Sequence, residues 1–253
     1  MPILYAPYHL DEHLPDLRLA LPEGADVRET AADLPDADMW TRLVRLHDRF
    51  ADDAAAAAAD GPVLAVTGDC TLSIGLAAGL QRAGTDPAVV WIDAHGDLQT
   101  LETTASGYVG GMALRFLHGY RPDLFAEPLR LRPVGEDRTL LLDGRDLDPP
   151  EADHIAATAI RHRPLDGLTA ADLPEGPLLV NLDLDTLDPE AMPGARYPAP
   201  DGPDEALVLQ ALRTITGTGR VAGLNIACTW EPGPAAPAAL PARLIAAAVD
   251  ALG

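Results

Sequence analysis

The chain has 253 residues, of which 47% are hydrophobic, enough to bury the core of one α/β domain. Its 39 acidic and 18 basic residues give a formal net charge of −21, a balance that disfavours binding to nucleic acid or to anionic membranes. Two cysteines are too few for a secreted disulfide framework, the first residues lack the basic start of a signal peptide, and no apolar run approaches about 18 residues. We therefore expect a cytoplasmic protein that spans no membrane.

Short apolar runs alternate with helical stretches along the chain. The apolar runs are continuous, as expected for strands buried on both faces of a parallel sheet. They lie at residues 3–5, 63–66, 89–92, 139–142, 178–182 and 221–226. Helices are predicted at residues 40–59, 72–82, 111–117, 204–216 and 236–252, and loops at 14–38 and 122–138. This order predicts one α/β domain over residues 1–253, with a doubly wound, mostly parallel sheet and helices on both faces.

Two of the predicted strands lead into acidic residues spaced two apart. Asp93, His95 and Asp97 follow one strand, and Asp183 and Asp185 follow another. A strand period of two places Asp183 and Asp185 on one face of the sheet, and it gives Asp93, His95 and Asp97 the same parity at the end of their strand. Carboxylates gathered there without a basic partner would repel one another unless cations lay between them. The pattern therefore predicts a metal site beyond the carboxyl ends of the strands.

The order of these motifs resembles that of the ureohydrolase superfamily, which contains the arginases and agmatinases. Residues 67–70, 93–97 and 181–189 correspond to three of its signatures, and residues 144–151 are similar to a further one. The resemblance implies an arginase-like fold and a binuclear manganese site whose bridging hydroxide attacks the carbon of a guanidinium or amidine group. It also implies a small-molecule substrate and, since trimers and hexamers recur among the relatives, a homo-oligomer.

The resemblance also assigns the metal ligands residue by residue. The first ion would be held by Cys70 and Asp97, the second by His95 and Asp185, and both by the bridging Asp93 and Asp183. Asp97 would in addition pass a proton to the departing amine. The expected cofactor is one or two divalent ions per chain, with manganese the usual metal of the family.

Three positions depart from the superfamily pattern. Cys70 stands where relatives have a ligand histidine, and a thiolate prefers softer ions than manganese. Gly110 falls where arginases carry a histidine that shuttles protons. Cys228 replaces a glutamate that binds the guanidinium, which removes a charge-assisted hydrogen-bond partner. We therefore expect arginine itself to be a poor substrate.

A branch of the superfamily, the hydroxyarginine hydrolases, shares two of these departures. Its Glu-Thr-Thr…Gly-Tyr-x-Gly-Gly-Met loop is repeated at residues 102–112. An N-hydroxyguanidine is less basic than a guanidine and carries its own ionisable oxygen, so it needs fewer of the arginase contacts. The expected substrate contacts are Thr104, Ser106, Tyr108, Asp148 and Cys228.

Three functions stay open on the sequence. The first is a metal-dependent hydrolase of linear carbon–nitrogen bonds in a guanidino, hydroxyguanidino or amidino compound. The second is an enzyme with altered single-metal or thiol-assisted chemistry on an amide, and the third is a non-catalytic relative that binds a ligand. Arg145 and Asp146 are expected to form a structural pair. The histidines outside the motifs are expected to be exposed to solvent.

Overall fold

The computed structural model describes residues 2–14, 17, 21–227 and 239–253. The strands are β1 (Ile3–Ala6), β2 (Tyr8–His9), β3 (Glu12–His13), β4 (Val27–Glu29), β5 (Val63–Thr67), β6 (Ala88–Asp93), β7 (Thr139–Asp143), β8 (Arg161–Arg163), β9 (Leu178–Asp183) and β10 (Val221–Ala227). The helices are α1 (Met39–Ala58), α2 (Leu72–Arg82), α3 (Ala113–Leu117), α4 (Ala126–Leu129), α5 (Pro149–Ala157), α6 (Glu205–Thr216) and α7 (Ala239–Leu252). No helix in these ranges is long and apolar enough to cross a bilayer.

Eight strands form one parallel sheet in the order β4-β1-β5-β10-β9-β6-β7-β8. Strands β2 and β3 form a separate antiparallel pair. The late strands β9 and β10 lie between β5 and β6, so the carboxyl ends of all four meet at one edge. The predicted fold class, a mostly parallel sheet covered by helices, is confirmed.

Both faces of the sheet are buried, which explains the continuous apolar runs. In β5, Val63 and Ala65 join the hydrophobic core that includes α1 and α2, whereas Leu64 and Val66 join the core that includes α6 and α7. Alternate residues of a strand point to opposite faces, so a strand between two helical layers is apolar at most positions on both faces. The largest buried side chain, Trp91 of β6, is 0% exposed.

Helices α1 and α2 approach closely at a glycine. A Cβ atom built on Gly79 would lie 2.6 Å from both the carbonyl oxygen of Ala51 and the Cβ atom of Ala54. Real side chains do not tolerate such distances, so a larger residue would push the helices apart. The alanine-rich end of α1 therefore provides a packing surface for α2.

The structure adds regular elements to stretches predicted as loops. Strand β4 lies within residues 14–38 and α4 within residues 122–138, while β8 and α5 occupy stretches for which no element is predicted. All three residues of β4 are exposed. An edge strand of this kind forms main-chain hydrogen bonds without burying side chains, so it leaves no hydrophobic pattern in the sequence.

Candidate metal centre

A cavity of about 280 Å³ opens beyond the carboxyl ends of the central strands. Its position is the one expected of a ligand site in an open α/β sheet. All predicted metal ligands line it: Cys70, Asp93, His95, Asp97, Asp183 and Asp185. Four of the five predicted substrate contacts, Thr104, Ser106, Tyr108 and Asp148, also line it, and Cys228 lies outside the described residues.

The acidic residues reach the cavity because the strands end, and the strand-period argument is therefore wrong. Strand β6 ends at Asp93, whose side chain accepts a hydrogen bond from the backbone N–H of His95 at 2.8 Å. Strand β9 ends at Asp183, whose side chain accepts from the backbone N–H of Asp185 at 3.2 Å, at the start of a 3₁₀ turn. Each first carboxylate thus fixes the turn that presents the next ligand.

Two groups of three side chains are close enough to hold an ion each. One consists of Asp93, His95 and Asp185, the other of Cys70, Asp93 and Asp97, and within each group the ligand atoms lie within 4.8 Å of one another. Because Asp93 belongs to both groups, two bound ions would share its carboxylate. The nitrogen and oxygen donors of the first group suit a first-row divalent ion, and the sulfur of the second favours a softer one.

Asp183 lines the same cavity but belongs to neither group. Its role as a second bridging ligand therefore stays a prediction. Burial raises the pKa of Asp183 well above its ordinary value, and the neighbouring charge of Asp185 raises it further.

The charges of the site favour a bound cation. Burial, followed by the charge of Asp93, raises the pKa of Asp185 to about 7 and also raises that of Asp97. Burial opposes protonation of His95, but hydrogen bonds with Asp185 and Asp93 outweigh it and raise the pKa of His95 to about 12. One oxygen of Asp185, Oδ1, is buried without a hydrogen-bond donor. A divalent ion would stabilise these carboxylates, so the residues present fit a metal centre.

Cys70 contributes a protonated thiol to this environment. It is 6% exposed, and Sγ donates to Oδ2 of Asp97 at 3.2 Å. Burial, and then the charge of Asp97, raise the pKa of the Cys70 thiol. Thiolates are the metal-binding form of cysteine, so an ion bound here must displace this proton.

Asp97 itself has an unusual backbone conformation. Its φ of 51° lies in the left-handed region, which non-glycine residues visit rarely and aspartate more readily than most. The backbone N–H of Arg115 binds the Asp97 carbonyl at 3.1 Å and supports this turn. Such strain commonly accompanies functional sites.

A buried polar network, missed in the sequence, joins three strands beneath the site. Asn225 of β10 donates to Asn181 of β9 and to Ser73 of α2, and Thr67 of β5 donates to Asn225. All four residues are 0% exposed. Oδ1 of Asn181 accepts from both Asn225 and Ser73, whereas its Nδ2 is buried without a partner among the described residues. The hydrogen bonds that do form hold the strands and α2 in one arrangement. The available signal was the presence of polar residues inside apolar strands.

Glu151 is a second residue that the sequence reading missed. Its Oε1 accepts from the backbone N–H of Leu98 and its Oε2 from that of Asp148, so it ties α5 to the loop after β6. A Cβ atom at Gly96 would lie 2.8 Å from Glu151 Oε1, which explains the glycine in that motif. Asp148 and Glu151 form a capping box at the start of α5, a sequence signal that predicts this helix.

The expected Arg145–Asp146 pair is not formed. Arg145 instead donates to Asp143 and to the carbonyl oxygens of Thr186 and Ala199, so it connects β7 with the loops after β9. The Asp146 side chain instead lies beside the cavity, with Oδ2 3.9 Å from His95 Nε2.

Two histidines expected at the surface are buried. His47 is 0% exposed in α1, and His9 is 8% exposed beside the cavity loop. The reason is tertiary packing: the His47 ring lies against Phe125, and His9 against Tyr108.

A third candidate ligand group lies outside the cavity and is already neutralised by an arginine. It consists of His118, Glu136 and His154. Arg115 Nη1 lies 2.7 Å from His154 Nε2 and 3.3 Å from Glu136 Oε1. A cation bound there would have to displace the guanidinium, so we assign this group as an ion-pair cluster.

The metal-free protein should lose stability as the pH rises. The pKa of Asp185 is about 7 when folded, against an ordinary value of 3.8, so between these values the folded state retains a proton that the unfolded state has released. Asp185 therefore makes its full contribution to the free energy of unfolding at low pH. This contribution falls by on the order of 3 kcal/mol between pH 5 and 7. Above pH 6.5 the raised pKa of His95 likewise lowers the free energy of unfolding as the pH rises.

The measurement is the melting temperature of chelator-treated protein at several pH values. We expect it to fall between pH 5 and 8, and added Mn²⁺ to remove most of the fall. A melting temperature that is constant or rises over this range would contradict the assignment of these groups.

Comparison with known proteins places this geometry in a family. A model of the arginase family matches residues 5–232. An arginase of Eremothecium gossypii is 30% identical over 192 residues, which cover 69% of this chain and 48% of that protein. The N(omega)-hydroxy-L-arginine amidinohydrolase of Streptomyces lavendulae is 30% identical over 172 residues, which cover 66% of this chain and 60% of that protein. The match therefore spans only about half to three fifths of these relatives.

Solved structures show the same fold. The native arginase of Bacillus caldovelox superposes on 98% of this chain, and this chain on 97% of that one, with a TM-score of 0.80 at 20% sequence identity. The family model spans both acidic motifs, and the chain has the fold of the solved arginase. The chain belongs to the arginase family.

Proposed function

We propose that the chain is a hydrolase that cleaves a linear carbon–nitrogen bond of an amidino or guanidino group with two divalent metal ions. The observation that carries this proposal is the pair of ligand groups that share Asp93 inside one cavity. The names of the relatives, an arginase and an N(omega)-hydroxy-L-arginine amidinohydrolase, support the class of reaction.

The two ions would be held by the groups that contain His95 and Cys70, with manganese the first metal to test. When bound, a pair of divalent ions makes water more acidic and polarises the group under attack. Asp97 is the residue that we assign to proton transfer to the departing amine, since it lies in the cavity wall.

The cavity favours a small cationic substrate. Seven carboxylates line it, from Asp93, Asp97, Asp146, Asp148, Glu151, Asp183 and Asp185, and its described lining contains no arginine. Acidic walls concentrate cations in a cleft. Asp148 is assigned to the substrate ammonium group, and the hydroxyls of Thr104 and Ser106 to further polar contacts at the loop.

One observation favours a second candidate function. The Cys70 thiol is protonated and donates to Asp97, which is compatible with a single ion bound at the His95 group. In that case the thiol would face the substrate directly. Metal content distinguishes the two candidates, because the first requires two ions per chain and the second requires one.

The experiment compares guanidino and N-hydroxyguanidino forms of the same compounds, with Mn²⁺, Co²⁺ and Zn²⁺ tested separately. We expect metal-dependent release of urea or hydroxyurea. Cys228 replaces a carboxylate that would pair with the guanidinium. Removal of one partner of a buried ion pair costs about 3 to 5 kcal/mol, so kcat/KM for arginine should be at least about 100-fold below that for its N-hydroxy form.

The matched variant is Cys228→Glu, which should raise kcat/KM for arginine specifically. Efficient hydrolysis of arginine by the unaltered chain would refute the predicted substrate preference. Failure to release either product from any amidino compound in the presence of two bound ions would refute the proposed reaction.

A further inference from the structure

Position 110 has no side chain because Tyr108 fills its space. A Cβ atom built on Gly110 would lie 2.5 Å from Oη of Tyr108 and closer still to Cε1 and Cζ of the same ring. Gly110 does not have a positive φ, so space and not backbone conformation requires the glycine. Gly111 contrasts with it: a Cβ atom there would have Gln99 Cγ as its nearest neighbour, at 4.0 Å.

The Tyr108 ring is fixed by its neighbours. Its hydroxyl donates to Asp69 Oδ2 at 3.0 Å and lies 3.0 Å from His9 Nε2. The rings of His9 and Tyr108 stack with centroids 5.6 Å apart, and the centroid of Tyr197 lies 4.7 Å from that of Tyr108. Asp69 is 1% exposed, so the acceptor of the hydroxyl is itself held in the protein interior.

The ring thereby joins the two loops that form one side of the cavity. Tyr108 belongs to the loop after β6, while Asp69 precedes Cys70 in the loop after β5. On the same side, Cys70 Sγ lies 4.0 Å from the carbonyl oxygen of Gly110. Burial, and then the charge of Asp69, raise the pKa of Tyr108, so its hydroxyl remains neutral near physiological pH.

We propose that Tyr108 determines the substrate specificity of the site, because its ring takes the space of a residue-110 side chain and gives the cavity an uncharged aromatic wall beside Cys70. This inference rests on the proposed function. No titratable side chain can reach the reacting group from position 110 while the ring is in place. Substrates whose reacting group is less basic than a guanidine are therefore favoured, and N-hydroxylation lowers the basicity of that group.

The steric part is tested by melting temperature, without any activity measurement. Gly110→Ala and Gly110→His should each lower the melting temperature by about 2 to 4 °C or more, because an overpacked site is destabilised. Gly111→Ala is the matched control and should remain close to the unaltered chain. In the Tyr108→Ala background, Gly110→His should no longer lower the melting temperature. Equal effects of Gly110→His in both backgrounds would overturn the proposal.

The specificity part is tested by kcat/KM for the guanidino and N-hydroxyguanidino forms of one compound. The double variant Tyr108→Ala/Gly110→His should shift the ratio toward the guanidino form by about 10-fold or more relative to Tyr108→Ala. Tyr108→Phe keeps the ring and should keep the ratio, but loss of the hydroxyl contacts should raise KM roughly 2- to 10-fold with little change in kcat.

The two proposals fail in different ways. An unchanged substrate ratio in the double variant of an active enzyme would overturn the role of Tyr108 and leave the proposed reaction intact. Absence of hydrolysis in the unaltered, metal-loaded chain would refute the proposed reaction and, with it, the specificity assigned to Tyr108.

Discussion

Replacing Asp93 with asparagine should remove both metal ions and abolish hydrolysis. Asp93 is the one residue common to both ligand groups, and it also accepts the hydrogen bond from the backbone N–H of His95. An amide is a weaker ligand for a divalent ion than a carboxylate. The loss of activity should exceed the roughly 10- to 100-fold that follows removal of a residue supporting a metal ligand. Elemental analysis and kcat/KM are the measurements.

Asp148→Asn is the matched control for this prediction. Asp148 lines the same cavity, belongs to neither ligand group and begins α5, where asparagine is an equally good capping residue. We expect this variant to retain its metal and its fold while KM rises. Retention of two ions per chain by Asp93→Asn would show that the carboxylate is not shared.

The second large effect concerns Cys70. Cys70→Ala should leave one ion per chain, because the group of Asp93, His95 and Asp185 stays intact. Cys70→His should restore a nitrogen donor, raise manganese occupancy toward two and reduce the preference for softer ions such as Zn²⁺. Elemental analysis after dialysis against each metal measures both effects.

The comparison among the unaltered chain and the two Cys70 variants is internally controlled, since each keeps the His95 group. Equal manganese and zinc contents in all three would mean that the thiol does not bind an ion. A single ion in the unaltered chain, with two in Cys70→His, would instead favour the single-metal candidate function.

The central strands were predictable from sequence, and the edges of the sheet were not. Strands β5, β6 and β9 are covered on both faces, so most of their side chains are apolar and the hydrophobic signal runs without alternation. Strands β4 and β8 pair through their main chains at the two edges, and most of their side chains are polar or charged and exposed. Such strands have no hydrophobic period to detect.

The position of the acidic residues was also predictable, but the way in which they converge was not. Parallel strands end at a common edge, which brings Asp93 and Asp183 near each other whatever follows them. The side chains of His95 and Asp185 depend on turns formed after the strands end. These turns are stabilised by local hydrogen bonds that a strand period does not describe.

The cavity wall formed by Tyr108 is the feature that the sequence alone predicts least. Its hydroxyl contacts His9, 99 positions earlier in the chain, and its ring occupies the space above Gly110. The loop motif identifies Tyr108 as a cavity residue. The mutual exclusion of the two side chains becomes visible only when the loops after β5 and β6 are placed together.

Anomalous X-ray scattering from crystals grown with Mn²⁺ tests the central claim most directly. The account predicts two manganese peaks within the cavity, both in contact with Asp93: a full peak beside His95 and Asp185 and a weaker one beside Cys70 and Asp97. Peaks that lie away from Asp93, or a cavity without manganese in crystals that bind it elsewhere, would contradict the account.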